Sequence, residues 1–260
     1  MRFETEKYIG KNLLNAPERE LVQYLCNESS SLYWFFNFVV EPAIGPPPRP
    51  GWDYIIFAEV PREDLGLKPG QPGDIDILII PTFHGQPRPE FAAAIEVKRL
   101  ALRGPNWSKN VDRYGITQAN GLLKAGFPYV GILHLIMNAP GPTENWRNLQ
   151  EFKVVGDDGR VEFVAETEID MTGPIAAERQ FSRLLKQNPH PSIGLNCVAV
   201  SQTLYSEGSR GWLSVTDPEL RHASKSQFTH PVMLANLKTL ADCASPHLKM
   251  RPADARRNQN

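Results

Sequence analysis

Apolar residues in the first half of the chain fall into short runs with the length and boundaries of β-strands. Runs rich in Ile, Val or Phe lie at 54–60, 75–80 and 92–97, bounded by Gly or Pro, and a fourth lies at 129–137. Such runs between breaking residues are typical of strands. The pattern therefore predicts a sheet of at least these four strands.

Two helices are predicted around these strands. Pro17 opens the first helix, because proline suits the first helical turn, and the helix ends near Asn27. The second spans 116–125, and Gly126 followed by Pro128 ends it. The order of helix, three strands, helix and strand indicates an α/β fold with a mixed sheet core flanked by helices.

The second half of the chain predicts further elements around this core, within a single domain of residues 1–260. Gly156-Asp157-Asp158-Gly159 has the composition of a hairpin turn between two strands. The other predictions are a helix at 175–186, a strand at 193–200, C-terminal helices at 218–226 and 231–244, and a basic tail at 249–260.

Charged residues stand at alternate positions in two of the predicted strands. Alternate residues share a face of a strand, so Asp74 lies on the same face as Asp76, and Glu96 on the same face as Lys98. If the connection pairs the strands symmetrically about Gln86, Asp76 stands opposite Glu96 and Asp74 opposite Lys98. Opposed residues lie about 4.5–5.5 Å apart at Cα.

This arrangement points to phosphodiester chemistry. Two carboxylates from neighbouring strands can share a hard divalent cation, which offsets their mutual repulsion, and Mg²⁺ or Mn²⁺ suits oxygen ligands. We therefore expect Asp76 and Glu96 to be metal ligands. Lys98 would hold or deprotonate a water and neutralise charge that develops on a phosphate.

Asp76, followed after 19 residues by Glu96-Val97-Lys98, resembles the active-site signature of the PD-(D/E)xK nuclease superfamily. The resemblance implies a restriction-endonuclease-like fold, with its core motif region at about 15–137 and a family-specific elaboration at 138–248. It implies catalysis by Asp76, Glu96 and Lys98. The activity implied is metal-dependent hydrolysis, with DNA as the expected substrate and RNA left open.

The same resemblance implies residues that support the site. Asp74 and Gln118, the latter on the second helix, are expected in such positions. Many members also use an acid on the first helix. We prefer Glu20 to Glu18 for this acid, because Glu18 stands three residues after Asn15, which is the spacing of a capping box.

The distribution of charge along the chain predicts that nucleic acid would bind at one basic segment, residues 97–125. The formal net charge of −1 excludes a polycationic binder. Residues 97–125, however, contain six Lys or Arg and one Asp, which gives six minus one, or +5. We predict nucleic-acid contacts at Arg99, Arg103, Lys109 and Arg113.

Composition predicts a globular protein of the cytoplasm. Hydrophobic residues make up 41% of the chain, which permits a packed core and excludes wholesale disorder. We expect no membrane association, because the sequence contains neither an apolar signal region nor a run of about 18 uncharged apolar residues. A homodimer or a larger nuclease complex remains open, because cutting both strands often requires two sites.

Two other interpretations stay open. In the first, the chain is a non-catalytic nucleic-acid-binding or assembly subunit that keeps the nuclease-like fold. In the second, it is an unrelated α/β protein in which the charged residues of the strands are solvated surface pairs, as short motifs of this kind usually are.

Overall fold

A computed structural model describes most of the chain, in nine stretches. These are residues 16–27, 52–68, 73–101, 115–138, 143–156, 159–203, 212–215, 219–243 and 248–250.

The described chain contains four α-helices, and one or more strands follow each of them. The α-helices are α1 (Glu18–Asn27), α2 (Ile116–Ala125), α3 (Thr172–Lys186) and α4 (Pro231–Cys243). The strands are β1 (Trp52–Val60), β2 (Ile75–Phe83), β3 (Gln86–Pro87), β4 (Ala93–Ala101), β5 (Tyr129–Asn138), β6 (Trp146–Val155), β7 (Arg160–Asp170), β8 (Ile193–Thr203), β9 (Trp212–Val215), β10 (Glu219–Arg221) and β11 (Leu248–Met250). Short 3-10 turns lie at Arg62–Leu65, Pro89–Phe91 and Thr143–Asn145.

Nine strands of the described chain form one mixed sheet. Its order is β10-β8-β5-β4-β2-β1-β11, with β3 added to β2 and β9 added to β8. The central strands β4, β5 and β8 are parallel to one another, and the remaining pairs are antiparallel. Helix α2 connects β4 to β5, because parallel neighbours require a crossover. The protein therefore has an α/β fold with a mixed sheet flanked by helices, as its sequence predicts.

Both faces of the sheet are buried, which explains why its central strands are apolar at nearly every position. Helix α1 covers one face, where Leu21 and Val22 pack with β1, β2 and β4. Helices α2, α3 and α4 cover the other face, where Leu122, Leu184 and Leu237 are fully or almost fully buried. Burying each such side chain stabilises the fold by about 1.5–3 kcal/mol.

The hairpin of β6 and β7 forms a separate two-stranded sheet. Its turn lies where the Gly-Asp-Asp-Gly sequence predicts it, and its strands are Trp146–Val155 and Arg160–Asp170. The register shifts between Glu151 and Phe152, which marks a β-bulge.

Two predictions for the C-terminal part are wrong. Residues 219–221 form strand β10 rather than a helix, because they pair with β8 and Arg221 donates hydrogen bonds to the carbonyl oxygen of Ile193. The predicted basic tail begins too early, since Leu248–Met250 pairs with β1. Residues 251–260 lie outside the described part. Of the two C-terminal helices, only the one at Pro231–Cys243 is confirmed.

No helix in the described ranges is both long enough and apolar enough to cross a membrane.

Candidate active site

The ladder between β2 and β4 has the register that the sequence predicts. Ile77 stands opposite Ile95, and the next two pairs continue the same alignment. Asp76 directly precedes Ile77 in β2. Its side chain, rather than the backbone of β2, accepts the next hydrogen bond from β4: Oδ2 of Asp76 accepts the N–H of Val97 at 2.6 Å. The carboxylate of Asp76 is therefore held between the two strands where the regular ladder ends.

Glu96 and Lys98 lie at the same end of the sheet, on β4. Glu96 is only 2% exposed. The Nζ of Lys98 lies 2.7 Å from the Oε1 of Glu96, so the buried carboxylate is ion-paired within its own strand. The structure thus brings Asp76, Glu96 and Lys98 together, as the spacing of the motif predicts.

A carboxylate of α1 completes the cluster, and it belongs to Glu18 rather than to the preferred candidate Glu20. Its Oε1 accepts a hydrogen bond from the Nζ of Lys98 at 3.2 Å, and its Oε2 accepts one from the backbone N–H of Arg99 at 2.7 Å. Glu18 is the first residue of α1. Because Leu21 packs against the sheet, this first turn is held close to the end of β4.

Burial and neighbouring charges raise the pKa values of Asp76, Glu96 and Lys98. Burial and the neighbouring Glu96 raise the pKa of Asp76 to about 7. Burial likewise raises the pKa of Glu96, although Lys98 opposes the change. Burial alone would lower the pKa of Lys98, but the hydrogen bond and charge of Glu96 raise it overall, and Asp76 and Glu18 add to this effect. Lys98 is therefore an ammonium at neutral pH, whereas the anionic forms of the carboxyl groups are disfavoured.

Glu59 is an acidic neighbour that the sequence analysis missed. It lies in β1 between residues paired with Ile77 and Ile75, so it stands beside Asp76. Its φ of 56° is left-handed, which is rare for a residue other than glycine. Burial raises the pKa of Glu59, and Arg19, whose Nε lies 3.7 Å from its Oε2, partly opposes this. An acid near the end of an apolar strand was the available signal in the sequence.

Two of the supporting residues expected from the sequence, Asp74 and Gln118, have exposed side chains, although the charge of Asp74 helps to raise the pKa of Glu59. Asp74 is exposed, and its Oδ1 accepts the backbone N–H of Arg62 at 3.3 Å instead of contacting Lys98. Gln118 has an exposed side chain in the first turn of α2.

Only part of the predicted nucleic-acid surface can be placed. Arg99 lies on β4 directly after Lys98, and its backbone is bound to Glu18. The predicted contacts Arg103, Lys109 and Arg113 lie outside the described residues.

The donor set fits Mg²⁺ held by few protein ligands. Across the ranges that the structure describes, no three His, Cys, Asp or Glu side chains form a group that could hold a metal ion. Mg²⁺, however, usually keeps several waters and binds proteins through one or two carboxylates together with substrate phosphates. Asp76 and Glu96 supply two carboxylates whose anionic forms burial disfavours, and a divalent cation would relieve this cost.

Comparison with known proteins gives no relative for this chain: no family model, no curated protein and no solved structure matches it.

Proposed function

We propose that this chain is a metal-dependent nuclease of the PD-(D/E)xK type, with a restriction-endonuclease-like fold, that hydrolyses phosphodiester bonds in DNA. Asp76 and Glu96 are the proposed ligands of Mg²⁺, which Mn²⁺ can replace. The observation that carries the proposal is the convergence of these two carboxylates with Lys98 where the β2–β4 ladder ends.

Lys98 and Glu96 each have a role that their contacts support. A bound Mg²⁺ would supply Lewis-acid activation of the phosphodiester and of a water molecule. Lys98, an ammonium at neutral pH because Glu96 raises its pKa, would orient the attacking water and neutralise charge on the phosphate rather than remove a proton. Burial of Glu96 would exclude bulk water and strengthen these interactions.

Glu18 supports this geometry from the neighbouring helix. One of its oxygens binds the ammonium of Lys98 and the other binds the backbone of Arg99. The lysine is therefore fixed from two sides, by Glu96 and by Glu18. Such fixed orientation matters because catalysis depends on groups that need no rearrangement during the reaction.

The test is cleavage by purified full-length protein, with Lys98→Ala beside the wild type. Plasmid, single-stranded DNA and RNA are each incubated with Mg²⁺, with Mn²⁺ and with EDTA. We expect metal-dependent cleavage of DNA by the wild type and a rate reduced by about a hundredfold or more in Lys98→Ala, since a positioned charged group contributes about 10²–10⁴. Lys238→Ala is the matched control, because Lys238 is exposed on α4, where it pairs with Asp242.

A second variant separates catalysis from folding. Glu96→Gln keeps the shape of the side chain but removes the charge, so it should abolish cleavage while thermal unfolding remains cooperative. Equal cleavage by wild type, Lys98→Ala and Glu96→Gln would attribute the activity to a contaminant and contradict the proposal.

An assembly subunit is the second candidate function. The observation that favours it is the apolar surface of the β6–β7 hairpin, where Phe152 is 51% and Phe163 57% exposed. Exposed apolar patches often mark protein–protein contacts. Absence of cleavage of every substrate with both metals would favour this candidate.

A further inference from the structure

Gly115 begins α2 in a backbone conformation that favours glycine. Its φ is 84°, in the left-handed region, and its carbonyl oxygen accepts the N–H of Ala119 at 2.8 Å, which is the first hydrogen bond of the helix. Among the residues that the structure describes, no side chain caps the helix at this point.

The backbone of Gly115 lies directly on two residues of the candidate site. A Cβ atom at this position would lie 3.2 Å from Cγ of Glu96 and 3.6 Å from Cγ of Lys98. It would also lie 3.4 Å from Cγ2 of Ile132 on the adjacent strand. A distance of 3.2 Å between carbon atoms is shorter than their optimal separation of about 3.5–4.0 Å. Any side chain at residue 115 would therefore push against Glu96.

Glu96 has little freedom to yield to such a push. It is buried, and its carboxylate is tied to Lys98, which is tied in turn to Glu18. Displacing Glu96 would therefore also disturb the lysine. A substitution at residue 115 would therefore displace both Glu96 and Lys98.

The other end of α2 provides a natural comparison. Gly126 is also left-handed, with a φ of 96°, and it follows the last residue of the helix. A Cβ atom there would lie 2.9 Å from Cβ of His230, and the nearest backbone atoms belong to His230 and Phe228. Both glycines are left-handed and crowded, Gly126 more tightly than Gly115, but of the two only Gly115 contacts the candidate site.

We propose that Gly115 is a positioning residue for the candidate site. Its bare backbone packs on the stems of Glu96 and Lys98 and holds the carboxylate and the ammonium in the arrangement that hydrolysis uses. This role rests on the proposed nuclease function. Displacements of less than an ångström are sufficient to slow a reaction that depends on such positioning.

The experiment compares Gly115→Ala with Gly126→Ala in the full-length protein. Two backbone amides report the site without metal or substrate, because Val97 donates to Asp76 and Arg99 donates to Glu18. We expect Gly115→Ala to shift the NMR signals of both amides. We expect Gly126→Ala to leave them in place, although both variants lower the melting temperature. Gly115→Ala should also reduce kcat by about tenfold or more with KM little changed, since it misaligns groups that act in the transition state.

A third variant separates side-chain contact from backbone strain. Gly115→Asn adds a Cβ atom, but asparagine tolerates the left-handed conformation better than alanine does. The same shifts of Val97 and Arg99 in Gly115→Asn would support positioning by contact. Signals like those of the wild type in both Gly115 variants, or equal shifts in Gly126→Ala, would overturn the proposal. Because the amides need no turnover, failure of the wild type to cleave DNA would contradict the nuclease proposal alone.

Discussion

Two antiparallel strand pairs of this protein place polar and apolar side chains in opposite ways. The pair β2–β4 lies within the sheet under helices on both faces, yet it carries the buried carboxyl group of Glu96 and the partly buried side chains of Asp76 and Lys98. The pair β6–β7 forms a sheet of its own, and it exposes Phe152 and Phe163. Buried charges and exposed large apolar groups are the informative exceptions to normal burial.

Neither arrangement favours folding: the buried carboxyl group in β2–β4 costs stability, and the exposed apolar side chains of β6–β7 add little to it. A buried charge is costly unless it is paired, and the ion pair with Lys98 offsets only part of this cost for Glu96. An isolated two-stranded ribbon is marginally stable at best, and its exposed apolar side chains contribute little to folding. We therefore expect the two pairs to respond differently to pH, to metal and to truncation.

The largest expected effect is a fall in stability as the pH rises, caused by the buried carboxyl groups. The pKa of Asp76 is about 7 in the folded protein against an ordinary value of 3.8, so between these values the folded state binds a proton that the unfolded state releases. Its contribution to the free energy of unfolding therefore falls as the pH rises through this range, by at most about 1.4 kcal/mol per pH unit. Chemical denaturation of the wild type and of Asp76→Asn between pH 5 and 8 measures how the free energy of unfolding depends on pH.

Asp76→Asn should gain stability relative to the wild type as the pH rises, because it lacks the proton-linked cost. Mg²⁺ at pH 8 should stabilise the wild type but not Asp76→Asn, since a ligand that binds only the folded state stabilises it. Asp242→Asn, at an exposed acid that pairs with Lys238, is the control and should follow the wild type. Parallel pH profiles for the wild type and Asp76→Asn would contradict this account.

The sequence predicted the β2–β4 pair well because its signals are local. Alternation of charge and apolar residues determines which side chains share a face, and the two runs follow each other directly in the chain, joined by one long turn. The register through Ile77 and Ile95 is confirmed. Helix α2 was predicted with its observed bounds, because Gly126 and Pro128 end it.

Features that depend on contacts between distant segments could not be predicted in the same way. The capping-box spacing from Asn15 favours Glu20 over Glu18, and only the packing of α1 on the sheet decides that Glu18 reaches Lys98, 80 residues away. The helix predicted at 218–226 failed because pairing with β8 overrode local preference. The left-handed conformation of Glu59 had no signal in the sequence, since glutamate does not favour it.

A smaller effect is expected from relieving the backbone strain beside Asp76. Glu59→Gly removes both a left-handed non-glycine residue and a charge close to other acids, so it should stabilise the protein by about 1 kcal/mol, less any loss from the Arg19 ion pair. Urea denaturation at pH 8 measures the change. Asn188→Gly, at a residue with a φ of 51° outside the site, is the control and should gain less, because asparagine tolerates this conformation.

The carboxylate of Glu59 should also contribute to the attraction of a cation. If so, Mg²⁺ raises the melting temperature of Glu59→Gly by less than it raises that of the wild type, whereas Asn188→Gly responds like the wild type. A destabilised Glu59→Gly would show instead that the ion pair with Arg19 outweighs the strain.

The smallest effect on stability is expected from an exposed phenylalanine of the hairpin, and a buried phenylalanine after α2 provides the comparison. Phe127 is fully buried, so Phe127→Ala should cost about 3–5 kcal/mol. Phe152 is half exposed and has an edge-on ring contact with Phe163, so Phe152→Ala should cost less than about 1 kcal/mol. Urea denaturation at two protein concentrations measures both. A cost for Phe152→Ala that approaches that of Phe127→Ala and grows with concentration would mean that a second copy covers the hairpin in solution, and the contrast between the two strand pairs would then disappear in the assembled protein.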